Sequence, residues 1–234
     1  KKCDIAFIIG GDGTLLRSAQ YLSKADIPIC GINRGRLGFL VDISPNHIKE
    51  NLENILSNNY SIDERISLIG TVIRDGKEIS KNISFNDVVV HSKDAVRMIE
   101  MDTTLNGQRL YTLNADGLVI STPTGSTAYS LSSGGPIIQP NMEALLIVPI
   151  CPHSLNDRPM VVSSSSEITL RYDSEQNVSA GIDLDGDTVY ELKIGDNLVI
   201  KKAAKPICLI HPENYDYFDN LKSKLLWGKD KRHE

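Results

Sequence analysis

The stretch Ile5-Ala6-Phe7-Ile8-Ile9-Gly10-Gly11-Asp12-Gly13-Thr14 decides the fold of the first part of the chain. Its apolar half predicts a buried strand, its glycines predict a tight turn, and residues 14–23 predict a helix. A second apolar run, at residues 27–32, predicts the next strand. Strand, helix and strand in this order form one β-α-β unit of a parallel sheet.

The glycine turn also predicts an anion site. Backbone N–H groups at the start of a helix, with the positive end of its dipole, bind phosphate where glycines leave the approach open. Asp12 places a carboxylate within this site. We expect this side chain to act on a hydroxyl proton or on a metal ion, while the neighbouring amides hold phosphate oxygens.

The pattern changes at about residue 60, where β-branched runs and turn residues replace helical periodicity. An Asp75-Gly76 pair predicts a hairpin turn. The predicted strands then recur at roughly ten-residue spacing, as in a β-sandwich. They lie at residues 66–73, 88–91, 145–150, 167–172, 178–182, 189–194, 198–202 and 206–210.

The predicted fold class is therefore an α/β N-terminal domain with a partial parallel sheet, followed by a predominantly β, sandwich-like C-terminal domain. We place the first domain at residues 1–59 and the second at 60–212. Other predicted elements are a glycine loop at 33–40, a helix at 46–57, a closing helix at 215–227 that packs back on the first domain, and a solvated tail at 229–234. Because a parallel sheet usually has more strands than the two counted, we expect residues upstream of Lys1.

Composition narrows the class of protein. With 41% apolar and 24% charged residues, the 234-residue chain is typical of a soluble globular protein, and no apolar run approaches the ~20 residues that cross a bilayer. The net charge of -5 argues against a nucleic-acid partner and favours a small ligand, and the lack of a long apolar run argues against a membrane partner. Four scattered cysteines without a Cys-x-x-Cys pair predict a reducing, cytoplasmic setting.

Several reactive residues receive no role from the sequence. The histidines lack metal-ligand spacing, so we predict that each is structural or exposed, and we assign no metal ligands. They are His47, His91, His153, His211 and His233. The run Cys151-Pro152-His153-Ser154 is not assigned as a nucleophile, and the Asp185-Gly186 pair is predicted to be an ordinary turn.

A Gly-Gly-Asp-Gly element is shared by NAD kinases, diacylglycerol and sphingosine kinases, and phosphofructokinases. A second run, Asn114-Ala115-Asp116-Gly117-Leu118-Val119-Ile120-Ser121-Thr122-Pro123-Thr124-Gly125-Ser126-Thr127-Ala128-Tyr129-Ser130-Leu131-Ser132, resembles the long signature of NAD kinases. Residues 31–40 resemble the second loop of that family, and residues 85–91, Phe-Asn-Asp-Val-Val-Val-His, resemble its Asn-Glu or Asn-Asp strand. The matches extend over residues 4–187 in the family's order.

The resemblance implies transfer of the terminal phosphoryl group of ATP to the 2′-hydroxyl of the adenosine ribose of NAD, giving NADP. ATP and Mg²⁺ or another divalent cation would be required. Two alternatives remain open. A lipid kinase of the diacylglycerol type would have an apolar acceptor pocket and associate with membranes, and a regulatory NAD- or NADP-binding module would lack catalysis.

The resemblance also implies roles for individual residues. Asp12 would be the catalytic carboxylate, and Gly10, Gly11, Gly13 and Thr14 would shape the phosphate pocket. The implied nucleotide contacts are Arg17, Phe39, Asn86, Asp87, Arg97, Asn114, Asp116, Thr127, Ala128, Tyr129, Ser132 and Asp187. By resemblance, Asp116 reaches a nucleotide bound mainly by a neighbouring subunit, which implies a homo-oligomer, either a dimer or a tetramer.

Three of these positions depart from the family pattern. Asp87 replaces a glutamate that many members carry, which shortens the reach of the side chain. Asn114 stands where related sequences often have arginine, and Asp187 where they often have glutamine. The missing arginine leaves the nicotinamide end of the implied pocket with less positive charge.

Overall fold

Strands provide most of the regular structure after the first two helices. A computed structural model describes residues 3–35, 38–94, 96–173 and 178–227. Their strands are β1 (Ala6–Gly10), β2 (Ile29–Asn33), β3 (Tyr60–Arg65), β4 (Leu68–Arg74), β5 (Lys77–Ser84), β6 (Asp87–Ser92), β7 (Ile99–Leu105), β8 (Gln108–Ala115), β9 (Gly117–Ser121), β10 (Ala144–Ile150), β11 (Met160–Ser163), β12 (Ile168–Tyr172), β13 (Ala180–Leu184), β14 (Asp187–Leu192), β15 (Asn197–Lys202) and β16 (Ile207–Pro212). The α-helices are α1 (Asp12–Leu22), α2 (Ile48–Leu56), α3 (Tyr129–Ser132) and α4 (Tyr217–Leu225). Residues 36 and 37 of the predicted glycine loop, and the predicted tail at 229–234 with His233, lie outside the described residues.

The first unit contains the predicted β-α-β arrangement. β1 pairs with β2 in parallel, with Ala6 opposite Ile29 and Gly10 opposite Asn33. α1 connects these two strands and begins at Asp12, two residues earlier than predicted, because Gly11 takes the extended N-cap conformation. Buried Leu15, Leu16 and Ala19 form the inner face of α1. The α/β character predicted for this part of the chain is confirmed.

Two strands of the segment that we placed in the β-rich domain belong instead to this first sheet: β16, which overlaps the predicted strand at 206–210, and β3, which was not predicted. The sheet has the order β1-β2-β16-β3, and β16 pairs in parallel with β2. The chain accordingly divides into one unit of Lys1–Glu64 with Cys208–Glu234, and a second unit of Arg65–Ile207. The predicted boundaries at residues 59/60 and 212 thus cut off β3 and β16, whose pairing partners are distant in sequence. α4 lies in the first unit, where Asp216 accepts hydrogen bonds from the Phe218 and Asp219 amides.

The second unit is a β-sandwich, as predicted. One six-stranded sheet has the order β11-β10-β9-β6-β13-β14, and the other β5-β4-β15-β12-β7-β8. Their facing sides share one buried apolar core that includes Val88, Leu118 and Ile147 from the first sheet, with Leu170 and Leu198 from the second. Because apolar side chains fill the space between the two sheets, the polar groups lie at the sheet edges and in the turns.

Turn geometry agrees with the sequence at one hairpin and differs at the start of α3. Asp75 and Gly76 connect β4 to β5 with positive φ angles of 50° and 74°, the conformation that favours Asp-Gly. The sequence of residues 114–132 predicts a helix that opens near Ser126. The structure has instead a 3₁₀ turn over Thr124–Thr127, followed by the single turn of α3. No described helix combines the length and apolar character that a membrane crossing requires.

Candidate active site

The glycine turn of the first unit leaves the start of α1 open. Gly10 is buried, whereas Gly11, Gly13 and Thr14 are exposed. Gly11 is the N-cap residue, and no side chain caps the helix. The first amides of α1 can therefore donate to an external acceptor, which is the arrangement that binds phosphate oxygens.

Asp12 is held by the backbone of the following glycine loop. Its Oδ2 accepts a hydrogen bond from the Phe39 amide at 2.8 Å, and its Oδ1 accepts from the amides of Leu40 at 3.0 Å and Val41 at 3.2 Å. A carboxylate offers about four acceptor positions, so these amides occupy all but roughly one of them. The half-buried carboxylate is therefore fixed in direction, and the remaining acceptor position is on Oδ2.

Two glycines make this arrangement possible. A Cβ atom at Gly38 would lie 1.9 Å from Asp12 Oδ1, so only glycine admits the carboxylate there. A Cβ at Gly10 would lie 2.7 Å from Thr14 Oγ1. Gly11 and Gly13 instead face open space. Gly10 and Gly38 thus serve packing, whereas Gly11 and Gly13 leave room for a ligand.

The other predicted residues of the first unit lie on the same two segments. The Phe39 side chain is half-buried on the loop that contacts Asp12. Arg17 is exposed on α1, one turn beyond the glycine turn.

The second unit contains a cavity of about 680 Å³, within the size range of ligand pockets. Five residues predicted from the family resemblance line it, and they come from segments far apart in sequence. They are Asn86, Asp87, Asp116, Ala128 and Tyr129.

Other predicted residues of this unit do not line the cavity. Thr127 turns back on its own segment, with its hydroxyl donating to the Thr124 carbonyl at 3.3 Å. Ser132, Asn114 and Arg97 are exposed, and Asp187 is half-buried at the start of β14.

Five further polar residues line the cavity that sequence reasoning missed. They are His91, Ser92, Cys151, Asp183 and Asp185. The sequence assigns no role to His91 or Cys151. For His91 the reason is that spacing along the chain does not reveal the pairing of β6 with β13. Asp185 has one usable indication, the Asp185-Gly186 pair, which predicts an ordinary turn.

Asp185 shapes the segment that presents Asn86. From the turn between β13 and β14, its carboxylate accepts hydrogen bonds from Ser84 Oγ at 2.7 Å, Phe85 N at 2.9 Å and Asn86 N at 2.7 Å. The Asp87 amide adds a fourth contact at 3.4 Å. These donors fix residues 84–87 against the adjacent turn, so Asp185 is a supporting residue of the cavity wall.

The Ser- and Thr-rich run packs closely against the same segment. Thr122 donates through its hydroxyl to the Phe85 carbonyl and through its amide to the Asn86 carbonyl, both at 2.8 Å. A Cβ atom at Gly125 would lie 2.3 Å from the Asn86 carbonyl oxygen. The small residues of the run therefore allow it to reach Asn86, which explains their composition physically.

Asp87 is the most buried acidic group of the cavity, with 4% of its surface exposed. Burial first, and then the charges of Asp185 and Asp183, raise the pKa of the Asp87 carboxyl to about 7. Near neutral pH this side chain therefore exists in both protonation states. The Asp87 carboxyl can therefore donate a hydrogen bond to a ligand, and its carboxylate can accept one from a ligand.

This raised pKa predicts a pH-dependent stability. The folded pKa of Asp87 exceeds its ordinary value of 3.8, so the folded chain holds the proton more tightly and loses stability as pH rises from about 4 to about 7. Asp87→Asn removes the ionisation. We expect its Tm to exceed the wild-type Tm at pH above about 7 and the difference to shrink towards pH about 4.

Thermal unfolding without nucleotide, at both ends of this pH range, measures the effect. Asp75→Asn, at an exposed turn position of the same unit, is the matched control. A Tm difference between Asp87→Asn and wild type that stays constant with pH would contradict the prediction.

Comparisons with known proteins cover both units. Residues 1–60 match the ATP-NAD kinase N-terminal domain and residues 85–212 its C-terminal domain. The chain is 45% identical over 226 residues to an NAD kinase of Thiobacillus denitrificans, covering 97% of this chain and 77% of the relative. It is 44% identical over 228 residues to an NAD kinase of Methylococcus capsulatus, covering 97% and 79%.

Two solved structures with a similar fold are likewise an NADH kinase and an NAD kinase. Yeast NADH kinase complexed with NADH superposes with a TM-score of 0.93 at 26% identity, covering 100% of this chain and 70% of that one. An NAD kinase from Archaeoglobus fulgidus in complex with ATP gives a TM-score of 0.80 at 27% identity, covering 95% and 83%.

An open glycine turn holding a carboxylate, and a polar cavity of nucleotide size, are features of a nucleotide-dependent phosphotransferase. The matches define this class further: the chain belongs to the ATP-NAD kinase family. It is an enzyme that uses ATP as phosphoryl donor and NAD as acceptor. The lipid kinase and the non-catalytic module are the less supported alternatives.

Proposed function

We propose that Asp12 orients the 2′-hydroxyl of the adenosine ribose of NAD for attack on the terminal phosphoryl group of ATP. One observation carries the proposal: three backbone amides fix the Asp12 carboxylate and leave one acceptor position on Oδ2. Phosphoryl transfer depends mainly on positioning and charge neutralisation. A carboxylate fixed in this way can direct one hydroxyl and accept its proton.

Phosphate binding is assigned to the glycine turn. We propose that Gly10, Gly11 and Thr14, with Gly13 between them, bind phosphate at a helix start that lacks a side-chain cap. The Thr14 amide already donates to the Gly11 carbonyl at 3.0 Å, so Thr14 would contact the ligand through its exposed side chain. The positive end of the α1 dipole adds to the attraction for phosphate oxygens.

We assign NAD binding to the cavity of the second unit. Asn86, Asp87, Ala128 and Tyr129 supply amide, carboxyl, methyl and phenol groups that suit the adenine and the ribose. Further nucleotide contacts are proposed for Phe39, Arg17, Arg97, Asn114, Thr127, Ser132 and Asp187. Asp116 is proposed to act on a nucleotide held by a neighbouring subunit, so the active protein is a dimer or a tetramer.

A divalent cation fits this arrangement when it arrives with ATP. Within the described residues, no group of three or more His, Cys, Asp or Glu side chains is placed to hold a metal ion. Mg²⁺ usually binds through substrate phosphates with one or two carboxylates, so the phosphates of ATP would hold it, while the one open acceptor position of Asp12 serves the hydroxyl. When bound, the cation would neutralise charge on the transferring phosphate.

The setting of the enzyme is proposed from its chemistry. NAD and ATP are small anionic ligands, and the net charge of -5 does not favour binding to nucleic acid or to anionic membranes. We place the protein in the cytoplasm.

The test is a direct assay of the purified protein with ATP, Mg²⁺ and NAD, in which an NADP-specific dehydrogenase reports the product. We expect NADP to form only when protein and ATP are both present. Parallel reactions with NADH and with diacylglycerol define the acceptor. Phosphorylation of diacylglycerol with no NADP above the protein-free control would overturn the proposal, and an active monomer in light scattering would overturn the role of Asp116.

A further inference from the structure

His91 lies in the cavity of the second unit against two oxygen atoms. It occupies β6 directly opposite Gly181 of β13. Its Nδ1 lies 3.0 Å from the Ser92 carbonyl oxygen, and its Nε2 lies 3.1 Å from Oδ2 of Asp183. A Cβ atom at Gly181 would lie 3.1 Å from Nε2, so glycine provides the space for the ring.

Each ring nitrogen of His91 therefore lies beside an oxygen atom. Nδ1 is within hydrogen-bond distance of the Ser92 carbonyl, whereas Nε2 lies at ion-pair distance from Asp183 without the geometry of a hydrogen bond. A positive charge on the ring would lie directly against the Asp183 carboxylate and offset its charge.

The cavity is rich in carboxylates, so the charge of Asp183 matters for the binding of an anionic ligand. Asp87, Asp116, Asp183 and Asp185 all line it, and His91 is the one basic side chain among its lining residues in the described part of the chain. Asp185 is already held by the donors of residues 84–87. A dinucleotide brings two phosphate charges, which an unneutralised Asp183 would repel.

Other charged groups lie beside His91, on its own strand and on neighbouring segments. The Lys93 side chain passes Gly181, where a Cβ would lie 3.5 Å from its Cδ, but its ammonium group pairs with Glu191 at 2.8 Å. Asp87 is on the same strand as His91, and Asp116 is bonded through its carbonyl to the Ser92 amide at 2.8 Å.

We propose that His91 is a positioning residue for NAD: by neutralising Asp183, it allows the acidic cavity to accept an anionic dinucleotide. This inference rests on the proposed function of the cavity as the NAD site. It assigns an electrostatic role to the His91–Asp183 pair, with Gly181 as the residue that makes room for it.

Calorimetric titration of NAD at one fixed pH tests the pair. His91→Gln is expected to bind NAD about tenfold more weakly than wild type, because Asp183 then lacks its basic partner. His91→Lys, which keeps a basic group at this position, is expected to retain affinity.

The decisive variant is the double substitution His91→Gln with Asp183→Asn. If His91 acts by neutralising Asp183, removing both side-chain charges restores affinity to within about twofold of wild type. A double variant as weak as His91→Gln would indicate a structural role and overturn the inference, as would an unchanged NAD affinity in His91→Gln. Wild-type protein that fails to bind NAD would overturn the proposed function and this inference together.

Discussion

Asp12→Asn is expected to lower kcat by about 10²- to 10³-fold, the largest effect of any single substitution considered. The change removes the charge and the ability to accept a proton. It also affects the loop, because one end of the new amide is an NH₂ group that would face either the Phe39 amide or the amides of Leu40 and Val41. Donor would then meet donor, and the loop would shift.

Steady-state kinetics with NAD as the varied substrate measure this effect. Asp4→Asn, which removes an exposed carboxylate from the same unit, is the control for loss of charge and should leave kcat unchanged. Full turnover by Asp12→Asn would move the catalytic role to another residue.

A substitution at Gly38 tests whether the position of the Asp12 carboxylate affects kcat separately from its charge. In Gly38→Ala the new Cβ would lie 1.9 Å from Asp12 Oδ1, so the carboxylate must move while keeping its charge. Gly35→Ala, on the same loop, meets nothing within 4 Å and is the matched control. We expect kcat to fall in Gly38→Ala but not in Gly35→Ala. Equal activity in the two variants would show that the fixed direction of Asp12 is unimportant.

The local elements were predictable because their determinants are neighbours in sequence. The strand, turn and helix around Gly10 follow from periodicity. The hairpin at Asp75 and Gly76 follows from the tolerance of Asp and Gly for the positive φ angles that this turn has. β16 was assigned to the wrong sheet because its parallel partner β2 lies far away in the chain. An apolar run predicts a strand, but it does not identify which sheet the strand joins.

The residues of the candidate site divide in the same way, into those that lie on sequence motifs and those that only strand pairing brings together. Asp12, Asn86 and Tyr129 lie on motifs that the family resemblance identifies. His91 and Asp183 become neighbours only through the antiparallel pairing of β6 with β13. No spacing along the chain could show that a histidine on one strand faces a carboxylate on another. Asp185 shows a further limit, because the same Asp-Gly pair is compatible with a solvent-exposed turn and with a buried set of hydrogen bonds.

Asp185→Ala is expected to destabilise the second unit strongly. The carboxylate accepts hydrogen bonds from Ser84 Oγ and from the amides of Phe85 and Asn86, and both Ser84 and Phe85 are fully buried. The Ser84 hydroxyl can still donate to the Asp87 carbonyl, but the amides of Phe85 and Asn86 lose their acceptor, at a cost of about 2–4 kcal/mol in total. For a chain of this size we expect Tm to fall by roughly 5–10 °C. NAD affinity should fall as well, because Asn86 and Asp87 lose their support.

Asp75→Ala separates this effect from the cost of the turn itself. Asp75 has a φ of 50° before Gly76, and Asp185 has a φ of 51° before Gly186, so alanine meets the same backbone strain at both positions. Asp75, however, is exposed on the β4–β5 hairpin. The difference in Tm between the two variants therefore isolates the hydrogen bonds of Asp185. If the two variants lose the same Tm, these bonds do not hold the wall of the NAD cavity, and the orientation of Asn86 must depend on its packing against Gly125 and Thr122 alone.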